Sequence, residues 1–358
     1  MKEKIFSYLF VFFLIVVAIL NIVYPDKEIS ITERRKLKQF PTLNINTILN
    51  GDFFDNLEDY NLDQMLFRDD LKKINSFWNE NIFFMFDQNN LVIDNDFIFK
   101  ISYKVNEKNV LSFSKKINRI INDFSNSNIY FAMIPDKNYY MNEKYLKMDY
   151  IAFQNLLKDN INTEFIDLLD SLDLTNYYLT DIHIKQDGWN KVINKLEEKY
   201  NFKINTSLNK VEVPNFYGSL SNQLGIFKKS DTLNYYTSIY TDSAVVTHLE
   251  YPNIKTVYDL SKLDGVDYYD IYLSGASSYI EIENSKVNND KELIIFRDSF
   301  TSSLTPLLLE AYEKITLVDL RYIDYDIVKD YLKFENKDVL FLYSADLINN
   351  SGSIKVKI

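Results

Sequence analysis

Two stretches carry residue types that could do acyl-transfer chemistry together. The first is Tyr177-Tyr178-Leu179-Thr180-Asp181-Ile182-His183-Ile184-Lys185-Gln186-Asp187-Gly188-Trp189, which holds one of the two histidines in 358 residues. The second is Arg297-Asp298-Ser299-Phe300, at the end of the apolar run Leu293-Ile294-Ile295-Phe296. A serine hydroxyl is a weak nucleophile at neutral pH until a base takes its proton. His183 is the imidazole in a matching position, and Asp181, two residues earlier, can hold its ring in the right tautomer. The pattern predicts Ser299 on a strand-to-helix turn, beside the backbone N–H groups that open the next helix. Such donors can stabilise an oxyanion. This is the logic of a nucleophile elbow, without its Gly-x-Ser-x-Gly. Two plainer readings stand beside it: a serine at a strand end is commonly an N-cap, and Thr-Asp-x-His is commonly turn chemistry.

Other residues compete for roles. Lys137 and Arg297 flank strand ends and could face the pocket, or be solvated charges or dipole partners. Tyr217-Gly218-Ser219 could aim a backbone N–H at an oxyanion, or be a simple turn. A metal site from His183, Asp181 and Asp187 is chemically conceivable, but with one histidine available no metal is assigned. His248 sits in Thr247-His248-Leu249 without nearby partners and reads as a surface or packing histidine.

The rest of the chain must position these groups. Its length suits about two domains, or one large domain with insertions. With 46% hydrophobic residues, 27 Tyr and 26 Phe, it can bury a sizeable core. The net charge of −11 disfavours nucleic acid or anionic lipid as partner. The absence of cysteine excludes disulfides, thiolate catalysis and Cys-based metal sites. At the N-terminus, Met1-Lys2-Glu3-Lys4 precedes an apolar run from Ile5 to Val23. About 20 apolar residues span a bilayer, and lysines ahead of the run keep that end inside. The run is long for a signal-peptide core and lacks a small-x-small cleavage site. Residues 1–24 are therefore expected to be a single-pass signal-anchor in the cell membrane, with the N-terminus cytoplasmic and the main domain exported.

Residues 25–100 read as a stalk, Pro25 to Gln39, and a helical lead-in. The apolar rhythm from Phe53 to Phe77 predicts two helices broken near Phe67-Arg68-Asp69, capped at Asn50 or Asp52. Leu91 to Ile101 reads as a hairpin about Asn95-Asp96. From 101 to 358 helix and strand patterns alternate. Helices are expected over Val110 to Phe124, Tyr150 to Asp159, Gln186 to Tyr200, Ser302 to Tyr312 and Tyr325 to Phe334. Strands are expected at 129–134, 164–167, 293–296, 315–319 and 339–343. That alternation implies a parallel sheet covered on both faces, with ligands at the carboxyl ends of its strands. A segment of about 201–290 breaks the rhythm. Its Tyr-rich pieces, Leu233 to Tyr240, Ile254 to Leu260 and Tyr268 to Leu273, predict a β-rich insertion over the core.

Several blocks, in order, resemble the bacterial exported proteins of the DHHW family, which are similar to the periplasmic subunits of alginate O-acetylation and to the wider SGNH hydrolase group. They are Glu33-Arg34-Arg35-Lys36-Leu37-Lys38-Gln39-Phe40-Pro41-Thr42-Leu43 with Gly51-Asp52-Phe53 and the 63–68 segment; Tyr177 to Trp189 with Asp-x-His; and Leu293 to Phe300 with Asp-Ser-Phe, followed by Pro306 and Val318-Asp319-Leu320-Arg321-Tyr322. Ile134-Pro135-Asp136-Lys137 and Phe216-Tyr217-Gly218-Ser219-Leu220 add smaller similarities. The family's Asp-His-His-Trp stands here as Asp181-Ile182-His183-Ile184, and its Gly-Gly-Asn as Ser274-Gly275-Ala276.

The resemblance implies a three-layer α/β/α SGNH-hydrolase-like fold. It implies Ser299 as nucleophile, His183 as base and Asp181 as its orienting carboxylate. Gly218, Gly275, Lys137 and Arg297 stand beside these three as oxyanion or substrate candidates. The implied activity is O-acyl, in particular acetyl, transfer to a cell-surface polysaccharide or glycopolymer, with no organic cofactor. A multi-pass membrane O-acyltransferase would be the partner that brings acyl groups across the membrane. An esterase with the same three residues, and a non-catalytic polysaccharide-binding or assembly protein, remain as alternatives.

Overall fold

The structure is a computed structural model that describes residues 2–30, 35–81, 87–88, 90–143, 145–265, 267–350 and 354–357. The chain forms two compact units, Met1–Phe86 with Ser221–Phe227, and Asp87–Leu220 with Lys228–Ile358.

The first unit opens on the helix Lys2–Val23. Its Lys4–Val23 portion has a mean hydropathy of 2.7 and no residue buried, so it is long and apolar enough to cross a membrane. The expected stalk folds into a small antiparallel pair, Ile29–Ser30 with Arg35–Lys36. Thr32-Glu33-Arg34, between them, lies outside the described residues. The lead-in helices run Asp52–Asp63 and Arg68–Asn81. The break falls at Phe67, whose φ of 58° cannot continue a helix. Gly51 takes the N-cap at φ 93°, and Asn50 Oδ1 accepts the Asp52 N–H. The apolar rhythm of these helices does not mark a buried core: Phe54, Leu62, Leu71, Ile74 and Phe77 are exposed.

The second unit is built on one seven-stranded sheet. In chain order its strands are β1 (Asn128–Ile134), β2 (Glu164–Ile166), β3 (Ala244–His248), β4 (Tyr279–Asn284), β5 (Glu292–Arg297), β6 (Lys314–Val318) and β7 (Asp338–Ser344). The spatial order is β3-β4-β6-β5-β7-β1-β2. The pairs from β6 through β5, β7 and β1 to β2 are parallel. These strands are the continuous apolar runs of the sequence, as strands covered on both faces must be. Alternation divides them: Leu293, Ile295, Leu340 and Leu342 pack with the helix Asn190–Tyr200 and the turns after Ser299. Ile294, Phe296, Val339 and Phe341 pack with the helices Glu107–Ile121 and Tyr150–Asn160. Helices thus cover both faces. The hairpin of Leu91–Asp94 with Phe97–Lys100 turns at Asn95 and Asp96, with φ of 48° and 71°. Two left-handed residues match the twist of a two-residue hairpin, and Asn and Asp tolerate that region.

The insertion differs from its expected form. Two of its strands, β3 and β4, do not lie over the core but extend the main sheet, antiparallel, beyond β6. A separate hairpin pairs Asn209–Phe216 with Asp231–Thr237. Neither 254–260 nor 268–273 is a strand; the first makes a single bridge, Tyr258 to Tyr272, and the second holds the 3-10 turn Tyr268–Ile271. Alternating tyrosines suggested β pairing, but these rings bury inward as a separate apolar cluster with Tyr178 and Phe216. Two helices are also shorter than expected. The one after Ser299 runs Thr301–Leu304 and gives way to a 3-10 turn Thr305–Leu308, where Pro306 has no N–H to donate. The later one stops at Tyr325–Val328.

Candidate active site

β5 is the central strand, and its carboxyl end delivers Arg297-Asp298-Ser299. Asp298 holds the turn in place. Its Oδ1 accepts the Phe300 N–H at 3.1 Å and its Oδ2 accepts the Ser344 N–H of β7 at 2.7 Å. Thr301 Oγ1 donates to the Asp298 carbonyl at 3.0 Å. Ser299 is left half-buried just past the carboxyl end of this strand. Its own N–H makes no hydrogen bond among the described residues.

The segment carrying Asp181 and His183 is tied to this turn by buried side chains. Trp189 Nε1 donates to Ser303 Oγ at 2.9 Å, and Gln186 Nε2 donates to the Ser303 carbonyl at 2.9 Å. Upstream, Asp231 accepts the Leu179 and Thr180 N–H groups, each at 2.8 Å, and the Thr180 hydroxyl at 2.6 Å. These ties bring together residues far apart in sequence. His183 Nε2 lies 2.9 Å from Ser299 Oγ, and His183 Nδ1 lies 2.5 Å from Asp181 Oδ1. With Asp181 accepting at Nδ1–H, Nε2 is the lone-pair nitrogen that faces the serine hydroxyl. Asp181 is wholly buried; its Oδ1 also accepts the His183 N–H at 3.0 Å and its Oδ2 the Ser219 N–H at 2.6 Å. These donors fix the carboxylate in place beside the imidazole. The row of three can pass a proton from a serine hydroxyl to an imidazole whose cation the carboxylate would stabilise.

Two aromatic rings complete the arrangement. Tyr269 stacks on the His183 ring, with centroids 3.8 Å apart and planes 6° from parallel. Its hydroxyl lies within donating reach of the Ser299 carbonyl at 3.2 Å and of Ser303 Oγ at 3.1 Å, with one proton to give. Phe300 covers another side of the imidazole, with centroids 4.9 Å apart. Nothing in the local sequence distinguished Tyr269 from the other tyrosines. The Asp298 carboxylate, by contrast, stood beside Ser299 in plain view.

Each of the four oxyanion or substrate candidates has a hydrogen-bond partner of its own. The Gly218 N–H donates to Thr180 Oγ1 at 2.9 Å, so it is not free for an oxyanion. The position is a close approach instead: a Cβ there would lie 2.2 Å from Asp181 Cβ. Gly275 has a φ of 85° and its N–H bonds the Tyr272 carbonyl at 3.3 Å, which makes it a turn residue. Lys137 is buried, and its ammonium donates to the carbonyls of Ile98, Tyr178 and Leu179 at 2.7, 2.8 and 3.2 Å. Burial pushes it down to about 7, while Asp181 and Asp231 pull the other way. It ties the 91–100 hairpin to the Asp181 segment. Arg297 is also buried, behind the serine turn, where Nη1 donates to Ser302 Oγ at 2.7 Å; burial lowers its pKa. The free N–H at Ser299 is the better-placed oxyanion donor. Asp187, considered with His183 for a metal, instead accepts from Tyr236 OH at 3.3 Å.

Ser299 opens into a cleft of about 200 Å³, walled by Ile182, Phe300, Arg321, Ser344 and Asp346 among others. A smaller cavity of about 50 Å³ shares Ile182, Phe300, Ser344 and Asp346 and reaches Asp136 and Lys100. Asp136 is pushed up to about 7 by burial and by the neighbouring Asp346, whose own carboxylate pairs with Lys100 at 2.8 Å. Ile182, where the resembled motif has histidine, supplies an apolar wall.

No family model matches the sequence, and no curated protein matches it. Solved structures do. A DHHW family protein from Eubacterium siraeum superposes with a TM-score of 0.61 at 19% identity, covering 74% of this chain and 94% of that one. Bacillus cereus PatB1, solved with a sulfonyl adduct, gives a TM-score of 0.61 at 18% identity, covering 75% of this chain and 100% of that one. The O-acetyltransferase domain of Pseudomonas putida AlgJ aligns with a TM-score of 0.42 at 10% identity, over 73% of this chain and 92% of that one, too distant to carry an argument. The expected resemblance to a DHHW family protein therefore stands at the level of the fold.

Proposed function

We propose that this chain is a membrane-anchored, extracytoplasmic O-acyl (acetyl) transferase that acts on a cell-surface polysaccharide or glycopolymer. The observation that carries the reading is the row Asp181–His183–Ser299, hydrogen-bonded end to end and opening into a cleft. Ser299 Oγ attacks the acyl carbonyl while His183 Nε2 takes its proton and Asp181 stabilises the imidazolium. The Ser299 N–H stabilises the oxyanion. Collapse expels the donor's leaving group, which receives the proton from His183. A sugar hydroxyl then attacks the acyl-serine, His183 takes the proton of that hydroxyl, and the proton returns to Ser299 as the ester is released.

Likeness to PatB1, solved with a sulfonyl adduct, supports a site that accepts such electrophiles. The apolar Lys4–Val23 helix supports anchoring, with the lysine-bearing end cytoplasmic. A multi-pass membrane O-acyltransferase is the proposed source of acyl groups. The test is Ser299→Ala in the cell, with O-acetyl on surface polymers measured. A fall is expected. A rise would mean an esterase, and no change at normal protein level would sink both enzymatic readings.

A further inference from the structure

The Val318-Asp319-Leu320-Arg321-Tyr322 segment follows β6 and is not used by the row of three residues. Asp319 is buried, and Arg321 grips it three times: the backbone N–H and Nε reach Oδ1 at 3.1 and 2.9 Å, and Nη2 reaches Oδ2 at 2.6 Å. The guanidinium is thereby held rigid. Nη1 makes no hydrogen bond among the described residues, and the side chain keeps 25% of its surface exposed. Arg321 walls the same cleft as Ser299.

The other charged groups on that cleft are two carboxylates, both with donors of their own. Asp346 pairs with Lys100 at 2.8 Å, and both Asp298 oxygens accept backbone N–H groups. Arg321 is thus the cation with an open edge on this cleft among the described residues. Its planar fork suits a carboxylate or phosphate oxygen. The neighbouring Tyr322 is 49% exposed, and the guanidinium carbon lies over its ring, 5.2 Å from the centroid. An exposed tyrosine held under a fixed cation offers apolar surface to a sugar ring whose anionic group meets the guanidinium.

We propose that Arg321 and Tyr322 form an acceptor subsite for an anionic glycan, whose carboxylate or phosphate lies beside the hydroxyl that receives the acyl group. The inference rests on the reading of Ser299 as an acyl carrier. A fixed fork costs little ordering when the anion arrives, which offsets part of the long-range repulsion that a net charge of −11 exerts on a polyanion.

The test uses the full chain in detergent with three acetyl esters: neutral 4-nitrophenyl acetate, 4-acetoxybenzoate and 4-acetoxyphenyl phosphate. For Arg321→Gln we expect KM to rise about tenfold or more for the carboxylate or the phosphate ester, and within about threefold for the neutral one, with kcat little changed. Whichever anionic ester responds identifies the group. Arg321→Lys should recover part of the loss. Equal effects on neutral and anionic esters would overturn the inference and leave Arg321 as a brace for Asp319. If the wild-type protein turns over none of the esters while Ser299→Ala leaves cellular O-acetyl unchanged, the Ser299 reading fails. The subsite is then judged by direct binding of oligogalacturonate and of a glycerol-phosphate oligomer to the full chain. Binding that Arg321→Gln weakens about tenfold sustains it, and no such difference overturns it.

Discussion

His183 lies flat against Tyr269, ring on ring at 3.8 Å, while the Tyr269 hydroxyl reaches round to the carbonyl of Ser299. One tyrosine therefore touches both the imidazole and the backbone of the serine it faces. The stack fixes the plane of a ring that has only Asp181 and Ser299 to hold its nitrogens. Aromatic stacking of this kind contributes about 0.5–1.5 kcal/mol beyond its buried area.

Tyr269→Phe keeps the stack and loses the hydroxyl bonds; acyl transfer or ester turnover is expected to fall by about tenfold or less. Tyr269→Ala loses both and should cost about 10²-fold, since a small tilt of the base misaligns the proton transfer. Steady-state turnover of 4-nitrophenyl acetate reads both variants. Equal activity in Tyr269→Ala and the wild type would show that the stack is only packing.

Asp181→Asn preserves shape but presents an amide N–H toward His183 Nδ1, which favours the wrong tautomer. Turnover is expected to drop by about 10³–10⁴-fold. Labelling of Ser299 by phenylmethylsulfonyl fluoride, followed by peptide mass spectrometry, should slow in parallel. Labelling at full rate in Asp181→Asn would remove Asp181 from the proposed chemistry.

Gly218→Ala would set a Cβ 2.2 Å from Asp181 Cβ and 2.7 Å from its Cα. The loop must retreat, breaking the Ser219 N–H bond to Asp181. We expect a loss of about 2–4 kcal/mol in stability, together with reduced turnover, seen by denaturant melting and by the ester assay. A variant with unchanged melting would contradict this packing.

His248 is buried on β3, its ring nitrogens lack partners among the described residues, and burial with the nearby Arg297 charge pushes its pKa from 6.5 down to about 4. The unfolded chain binds this proton below about pH 6.5, the folded one only below about 4. Stability from this group is therefore full above pH 6.5 and is lost as pH falls toward 4, by up to about 3 kcal/mol. His248→Phe should remove that component, so the stability gap between variant and wild type should widen in favour of the variant between pH 6.5 and 4. Parallel urea titrations across this range check it; a constant gap would refute it.

Removing residues 2–23 should release the protein from the membrane fraction while leaving ester turnover intact. N-terminal sequencing of the full-length product reads whether the helix is retained, as the signal-anchor proposal requires.

Much of this was legible from residue order alone. The parallel strands of the sheet are short apolar runs between helical patterns, and burial on both faces leaves such runs no other composition. The hairpin about Asn95-Asp96 and the break at Phe67-Arg68-Asp69 were visible because turn geometry is local. Asp181, His183 and Ser299 could be named because few residue types do acyl chemistry and this chain has only two histidines. Tertiary structure alone decided which tyrosine stacks on His183, that Gly218 is a contact glycine with its N–H spent, that Lys137 and Arg297 face inward, and that Arg321 opens onto the cleft. It also decided that two strands of the insertion join the main sheet. In each case the deciding partner lies tens of residues or more away, or the outcome depends on which competing donor is nearer in space. Local pattern records what a residue can do; the donors, acceptors and walls that remain available to it are set only when the chain has closed around it.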